Sequence, residues 1–219
     1  MLAHHDDDQS APPPSCPSSP REVPMPRLLA QRPRDRRGYP ITAVTAILPG
    51  GLPDFAQIDQ RLVLRCALED RCGLCGASHG DGGLVAFLGP LSAVDDPLAG
   101  YGNPPMHIGC AEAAVRLCPY IAHRRACRRA AAAPSEAALA ALGLLAPPAK
   151  PDPWALVATR TWTARIAGHT FVRPRPPLRL PAAALAHLAD GNSVLFRPGP
   201  PVRLRVFAYD AAGHIREQR

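Results

Sequence analysis

Two short pairs of residues constrain this chain more than anything else in it. Cys72-Gly-Leu-Cys75 is followed, thirty-one residues later, by His107-Ile-Gly-Cys110. A C-x-x-C step lets two thiolates from one tight turn reach a single ion, and zinc takes four N or S ligands in a tetrahedron. Gly73 and Gly76 suit such a turn, because glycine tolerates positive φ. His107 and Cys110 stand at i and i+3 where a helix is predicted to begin, so both side chains share one face. The unpaired N–H groups of a helix N-terminus favour thiolates there. The pattern predicts one structural Zn2+ held by Cys72, Cys75, His107 and Cys110. His79, in a Gly-rich turn, is the alternative to His107 as fourth ligand.

Other readings of these cysteines compete. A redox C-x-x-C normally follows a strand, whereas here a helix is predicted before Cys72. A set of buried thiols brought together by chance is the bland alternative. The seven cysteines are an odd number, and the first ten residues carry two His and three Asp with no apolar stretch. A secretory leader and a disulfide framework are therefore not expected, and the expected location is cytoplasmic. Cys66 falls on a predicted apolar helix face and reads as a small core residue. Cys118 lies eight residues past Cys110, about 12 Å along a continuous helix at ~1.5 Å per residue, too far for the same ion. A second site using Cys118, His123 or Cys127 is the weaker alternative to structural thiols.

The chain has 219 residues, 28 of them Pro and 17 Gly. The expected fold class is α+β in four stretches. Residues 1–38 read as a disordered Pro/Arg-rich leader, since Pro lacks a donor and fixes φ. Residues 39–133 read as the zinc-binding unit, 134–151 as an Ala/Pro-rich linker, and 152–219 as a small α+β unit near the size where a core is marginal. Within the second stretch, Ile41 to Leu48 predicts a strand. Asp54 with Gln57 predicts a helix start, with Phe55, Ile58, Leu62 and Cys66 on one face. Leu84 to Leu88 is a wholly apolar strand between glycines. A helix is predicted from His107 to about Leu117, and a further one from Pro119 that carries His123 and Arg124 onward. In the last stretch Trp154 to Trp162, Ser193 to Arg197 and Val202 to Tyr209 predict strands, and Pro181 to Asp190 a short helix. Alternation in the last strand sets Val202, Leu204 and Val206 on the buried face.

The knuckle Cys72-Gly-Leu-Cys-Gly76, a short hairpin, and a helix whose first turn supplies the second ligand pair resemble a treble-clef zinc finger. The resemblance covers about residues 71–120. The wider layout, with Pro104-Pro-Met-His-Ile-Gly-Cys-Ala111 leading into Ala114, is similar to a group of uncharacterised actinobacterial and actinophage proteins. That second resemblance implies no known activity.

Function follows from what the metal can do. Three thiolates and an imidazole fill a tetrahedron, whereas a catalytic zinc keeps a position for water. The site reads as structural, and the protein as a non-enzymatic module that engages a protein partner. The main alternative is nucleic-acid binding. It rests on a net charge of +7 and on the cluster Arg124, Arg125, Arg128 and Arg129. With 24 Arg against one Lys, that charge also matches the codon bias of a G+C-rich genome. An HNH-type nuclease would need His79, Asp81, Asn103 and His107 around a hydrolytic metal, and the first strand lacks that family's Asp-His or His-His pair. No zinc-deaminase pattern, phosphate-binding loop or nucleophile elbow is present. Neither a small-molecule substrate nor a membrane partner is expected, since no run approaches a ~18-residue apolar span.

Overall fold

The structure is a computed structural model that describes residues 20, 23–80, 82–96, 98–124, 150–166, 169–173 and 194–218. Leader residues 1–19 and 21–22, linker residues 134–149, the helix expected from Pro181 to Asp190, and Cys16, Asp81, Arg125, Cys127, Arg128 and Arg129 lie outside them.

Of the expected leader, residues 20 and 23–38 are described. Residues 23–38 include a short helix, α1 (Arg27–Ala30), whose Leu29 is buried. Arg32 donates from Nε to the carbonyl of Ile41 at 2.8 Å and from Nη2 to Thr42 at 3.2 Å. The segment is held by apolar burial and by side-chain bonds to its own continuation, which composition alone does not reveal.

A hairpin follows, β1 (Thr45–Ile47) and β2 (Pro53–Ile58), paired antiparallel. The helix expected from Asp54 starts later, as α2 (Gln60–Leu68). Its N-cap is Asp59, whose carboxylate accepts from Arg61 N at 2.8 Å. Val63, Leu64, Cys66 and Ala67 form its buried face, so Cys66 is a core residue as read. Burial pushes its thiol pKa up to about 11. Next come β3 (Val85–Pro90), a 3-10 turn at Leu91–Ala93, α3 (Ile108–Leu117) and α4 (Pro119–Ala122). Pro119 opens α4, where a missing N–H is harmless. The helix stops at Ala122, because His123 is extended (φ −128°, ψ 130°) and bridges to His214. It therefore does not carry His123 and Arg124 onward.

The last stretch holds β4 (Trp154–Thr159), β5 (Trp162–Ile166), β6 (His169–Val172), β7 (Leu195–Pro198), β8 (Pro201–Tyr209) and β9 (Ile215–Gln218). They build a four-stranded sheet in the order β3-β4-β8-β9 and a three-stranded sheet in the order β6-β5-β7. The two sheets meet at a corner where β4 runs into β5 and β7 into β8. Thr159 Oγ1 donates there to the carbonyl of Thr161 or Pro200, both at 3.0 Å. A Cβ on Gly199 would stand 2.1 Å from Thr161 Oγ1, so only glycine passes this corner.

The expected zinc unit and C-terminal unit are joined in one sheet. β3 pairs with β4 over six residues, from Val85 opposite Thr159 to Pro90 opposite Trp154. β3 is also the wall between two cores. Ala86 and Leu88 face the core that holds α3, Trp154, Leu156 and Phe207, and Val85 and Phe87 face the core that holds α2, Trp162 and Phe196. Burial on both faces accounts for the wholly apolar run in the sequence.

In β8 the predicted faces are exchanged. Phe207 is 6% exposed, whereas Val202 and Leu204 are 56% and 44% exposed. Phe207 packs in the α3 core, and Arg205 on the same face pairs with Glu112 of α3 and Glu217 of β9. Alternation identified the two faces but not which of them the helix covers.

Candidate metal centre

The knuckle is a small hairpin closed by an Arg71–Ser78 bridge. Cys72 N donates to the carbonyl of Ala77 at 2.9 Å, and Gly76 N to Cys72 O at 2.8 Å. Gly76 has φ +79°, a conformation that excludes most side chains at little cost to glycine. Gly73 is required for a different reason. A Cβ there would stand 2.5 Å from Pro104 Cγ, and Gly73 N donates to the carbonyl of Pro105 at 3.0 Å. Met106 then pairs with Ala86 of β3 through two backbone bonds of 2.7 and 2.9 Å. The Pro104-Pro-Met106 stretch is thus the clamp that brings the second ligand pair over the first.

His107 is the N-cap of α3 and Cys110 lies in that helix's first turn. One ligand atom from each of Cys72, Cys75, His107 and Cys110 lies within 4.8 Å of all the others. Tetrahedral zinc with Zn–S bonds of ~2.3 Å sets its ligands about 3.8 Å apart, so the four groups can close on one ion with little movement. Cys72 and Cys110 are fully buried, Cys75 nearly so, and His107 partly. Pro26 packs on Gly109 at the start of α3, and Ala43 N donates to the carbonyl of Leu74 at 2.9 Å. Leu29 lies in the same core as Cys72, Cys75 and Cys110, with Val23 and Met25 packed against it, so residues 23–38 of the expected leader lie beside the site.

The two nitrogens of His107 have separate tasks. Nδ1 lies 3.3 Å from Cys75 Sγ, inside the ligand group. Nε2 lies 3.1 Å from the carbonyl oxygen of Ser78, which can only accept. The proton therefore belongs on Nε2, and the Nδ1 lone pair is directed into the group. A zinc-binding His almost always donates its other ring N–H in this way. The backbone N–H of His107 also points at Cys72 Sγ, at 3.4 Å.

Taken on their own, the four groups compete for protons. Hydrogen bonds from Cys110 and Cys75 push the Cys72 thiol pKa far down. Contact with Cys72, then Cys75, pushes that of Cys110 far up. Contact with Cys72 first, and Cys75 next, raises His107 to about 10. Three thiols crowded this closely cannot all ionise without a cation among them.

His79 does not join the group. Its ring packs edge-on against that of His107, with centroids 4.7 Å apart at 60°. It is buried with neither nitrogen hydrogen-bonded, and burial lowers its pKa. Asp70 stands opposite it across the knuckle strands, and His79 N donates to Asp70 O at 3.0 Å. Asp70 is buried at φ +46° and accepts at Oδ2 from Arg173 Nε (3.2 Å) and Nη2 (2.9 Å). Arg173 Nη1 also donates to the carbonyls of Gly83 and Arg160, which ties the end of β6 to the knuckle. Sequence reading missed this layer. The signal available was an Asp and a His flanking one C-x-x-C; nothing local points to Arg173.

Of the other residues singled out, Cys118 has a free thiol outside the group, and Asn103 is exposed. Arg124 is exposed, with Asp152 at 3.9 Å. No described helix is long and apolar enough to cross a membrane. Comparison of the chain with family models, with curated proteins and with solved structures finds no match in any of the three.

Proposed function

We propose that this protein is a non-enzymatic zinc protein. Its single structural Cys3His zinc, in a treble-clef-like finger, organises a surface that engages a protein partner. The observation that carries the metal is the His107 arrangement: Nδ1 among three thiols and Nε2 on the Ser78 carbonyl. The donor set fits zinc, because soft thiolates with one imidazole suit a d10 ion in a tetrahedron. When bound, zinc would be held by all four side chains and would supply folding energy. No ligand position remains for a substrate or a water, and three thiolates give the site a net charge of about −1, a poor Lewis acid. The knuckle, the β3–Met106 bridge and the α3 first turn match the order of a treble clef. The nuclease reading gains nothing here, because both nitrogens of His107 are already engaged.

Elemental analysis of the purified chain tests the proposal. The expected result is about one zinc per chain, lost together with cooperative unfolding in Cys72→Ser and Cys110→Ser. A folded, zinc-free protein would refute it. The partner class separates in a salt titration, since nucleic-acid affinity falls steeply with salt.

A further inference from the structure

His79 is nine-tenths buried, and neither of its ring nitrogens has a hydrogen-bond partner among the described residues. Asp70 is as deeply enclosed: Arg173 holds Oδ2, but Oδ1 is buried without a partner. Native interiors leave few polar atoms unmet, and three of them in one place call for an explanation. The two residues belong to one ladder. The Arg71–Ser78 bridge, with Cys72 N on Ala77 O and His79 N on Asp70 O, sets Asp70, Cys72, Ala77 and His79 on the same face of the knuckle. Asp70 and His79 stand directly opposite each other there. His79 is diagonal to Cys72, a separation of about 7–8 Å between Cβ atoms that a ring side chain spans. Its ring already touches the ligand group, edge-on to that of His107.

We propose that His79 is a second metal-binding histidine, which takes the fourth position on the ion when His107 leaves it and then donates its other ring N–H to Asp70 Oδ1. The inference rests on the zinc reading above and deepens it. A ligating His needs an acceptor for its remaining N–H. His107 has the carbonyl of Ser78, 3.1 Å from Nε2. His79 has Asp70, whose Oδ1 is uncommitted while Arg173 fixes Oδ2. One assignment thus employs all three unmet atoms. In the exchange one metal–nitrogen bond breaks and another forms between neutral imidazoles, so no proton or electron is transferred. The donor set stays three thiolates and one imidazole, and its fit to zinc is kept. His107 is the less buried of the two rings, so the exchange frees an imidazole near the surface while the metal stays. A water bridging Asp70 and His79 is the alternative, and it gives His79 no part at the metal.

The test loads the full chain with Zn2+, or with Co2+ for its absorption bands, as the parent, as His107→Ala, and as His107→Ala with His79→Phe, which keeps a ring in the core. His107→Ala is expected to hold about one metal per chain, to melt cooperatively, and to show the cobalt bands of a tetrahedron of three thiolates and one nitrogen. The double variant should lose the nitrogen ligand. It should bind more weakly than His107→Ala by at least the roughly 10–100-fold that an outer-layer partner alone contributes. Added imidazole should restore the bands of the double variant and leave those of His107→Ala unchanged. A His107→Ala protein that binds no more tightly than the double variant would overturn the proposal and leave Asp70 and His79 to a bridging water. So would one that needs added imidazole for its metal or its fold, or one that does not fold with metal supplied, since a reserve ligand should sustain both. A folded parent that takes up neither ion would instead overturn the zinc reading itself, and this inference with it.

Discussion

Arg173 reaches Asp70 across 103 residues, and both side chains are close to nine-tenths buried. A carboxylate and a guanidinium withdrawn from water depend on each other. Removing one partner leaves the other charged and unpaired, which costs about 3–5 kcal/mol. Arg173→Ala and Asp70→Ala should each lower unfolding free energy by about that amount in urea. The double substitution should cost much less than their sum. Additive losses would mean that the two act separately. This pair also marks what the sequence could and could not display. The Cys3His cluster was legible because a metal site needs pairs close along the chain. The choice of His107 over His79 was open in the sequence; the structure brings His107 beside the three cysteines, with Nε2 at the Ser78 carbonyl, and leaves His79 outside the group. Arg173 carries no local signature, because its partner is chosen by the fold.

At the scale of elements, the segment from Asp54 shows how a periodic pattern can mislead. Phe55, Ile58, Leu62 and Cys66 fit one helical face, yet residues 53–58 pair with β1 and Phe55 is largely exposed. The shared spacing was coincidental, since strand pairing is a tertiary choice that overrides a short-window pattern. The true cap is Asp59. Asp59→Ala should therefore cost about 1 kcal/mol in thermal or urea unfolding. Asp54→Ala, which removes only a local bond to Ala56 N, should cost clearly less. Equal losses would show that the helix begins where the pattern suggested. The helices at His107 and Pro119 were read to within a residue at their starts, because both carry local start signals. The buried face of β8 was misread for the opposite reason: which side α3 covers is not written in β8.

At the scale of the molecule, the two stretches that composition separates are one folding problem. β3 comes from the stretch that carries the Cys3His cluster and is buried on both faces, while its partner β4 comes from beyond residue 150. Trp154, Leu156 and Phe207 lie in the same core as Cys72, Cys75 and Cys110. A fragment of residues 39–133 would expose β3 from Val85 to Leu88 along one edge, and would lose residues 23–38, whose Leu29 packs in the core beside the candidate metal centre. Such an unpaired apolar edge invites aggregation. A fragment of residues 152–219 would lose the strand that flanks β4. Neither fragment, with zinc supplied, should give a cooperative melt, whereas residues 23–219 should. Co-expression of residues 23–133 with 134–219 should restore a zinc-containing complex, because six backbone-paired positions and the shared core join them. A cooperative, zinc-dependent melt of residues 39–133 alone would show instead that the finger folds first and that the second stretch merely docks. In that case loss of zinc should leave the environment of Trp162 unchanged. If the cores are coupled through β3, chelation should alter the emission of both Trp154 in the finger core and Trp162 in the other.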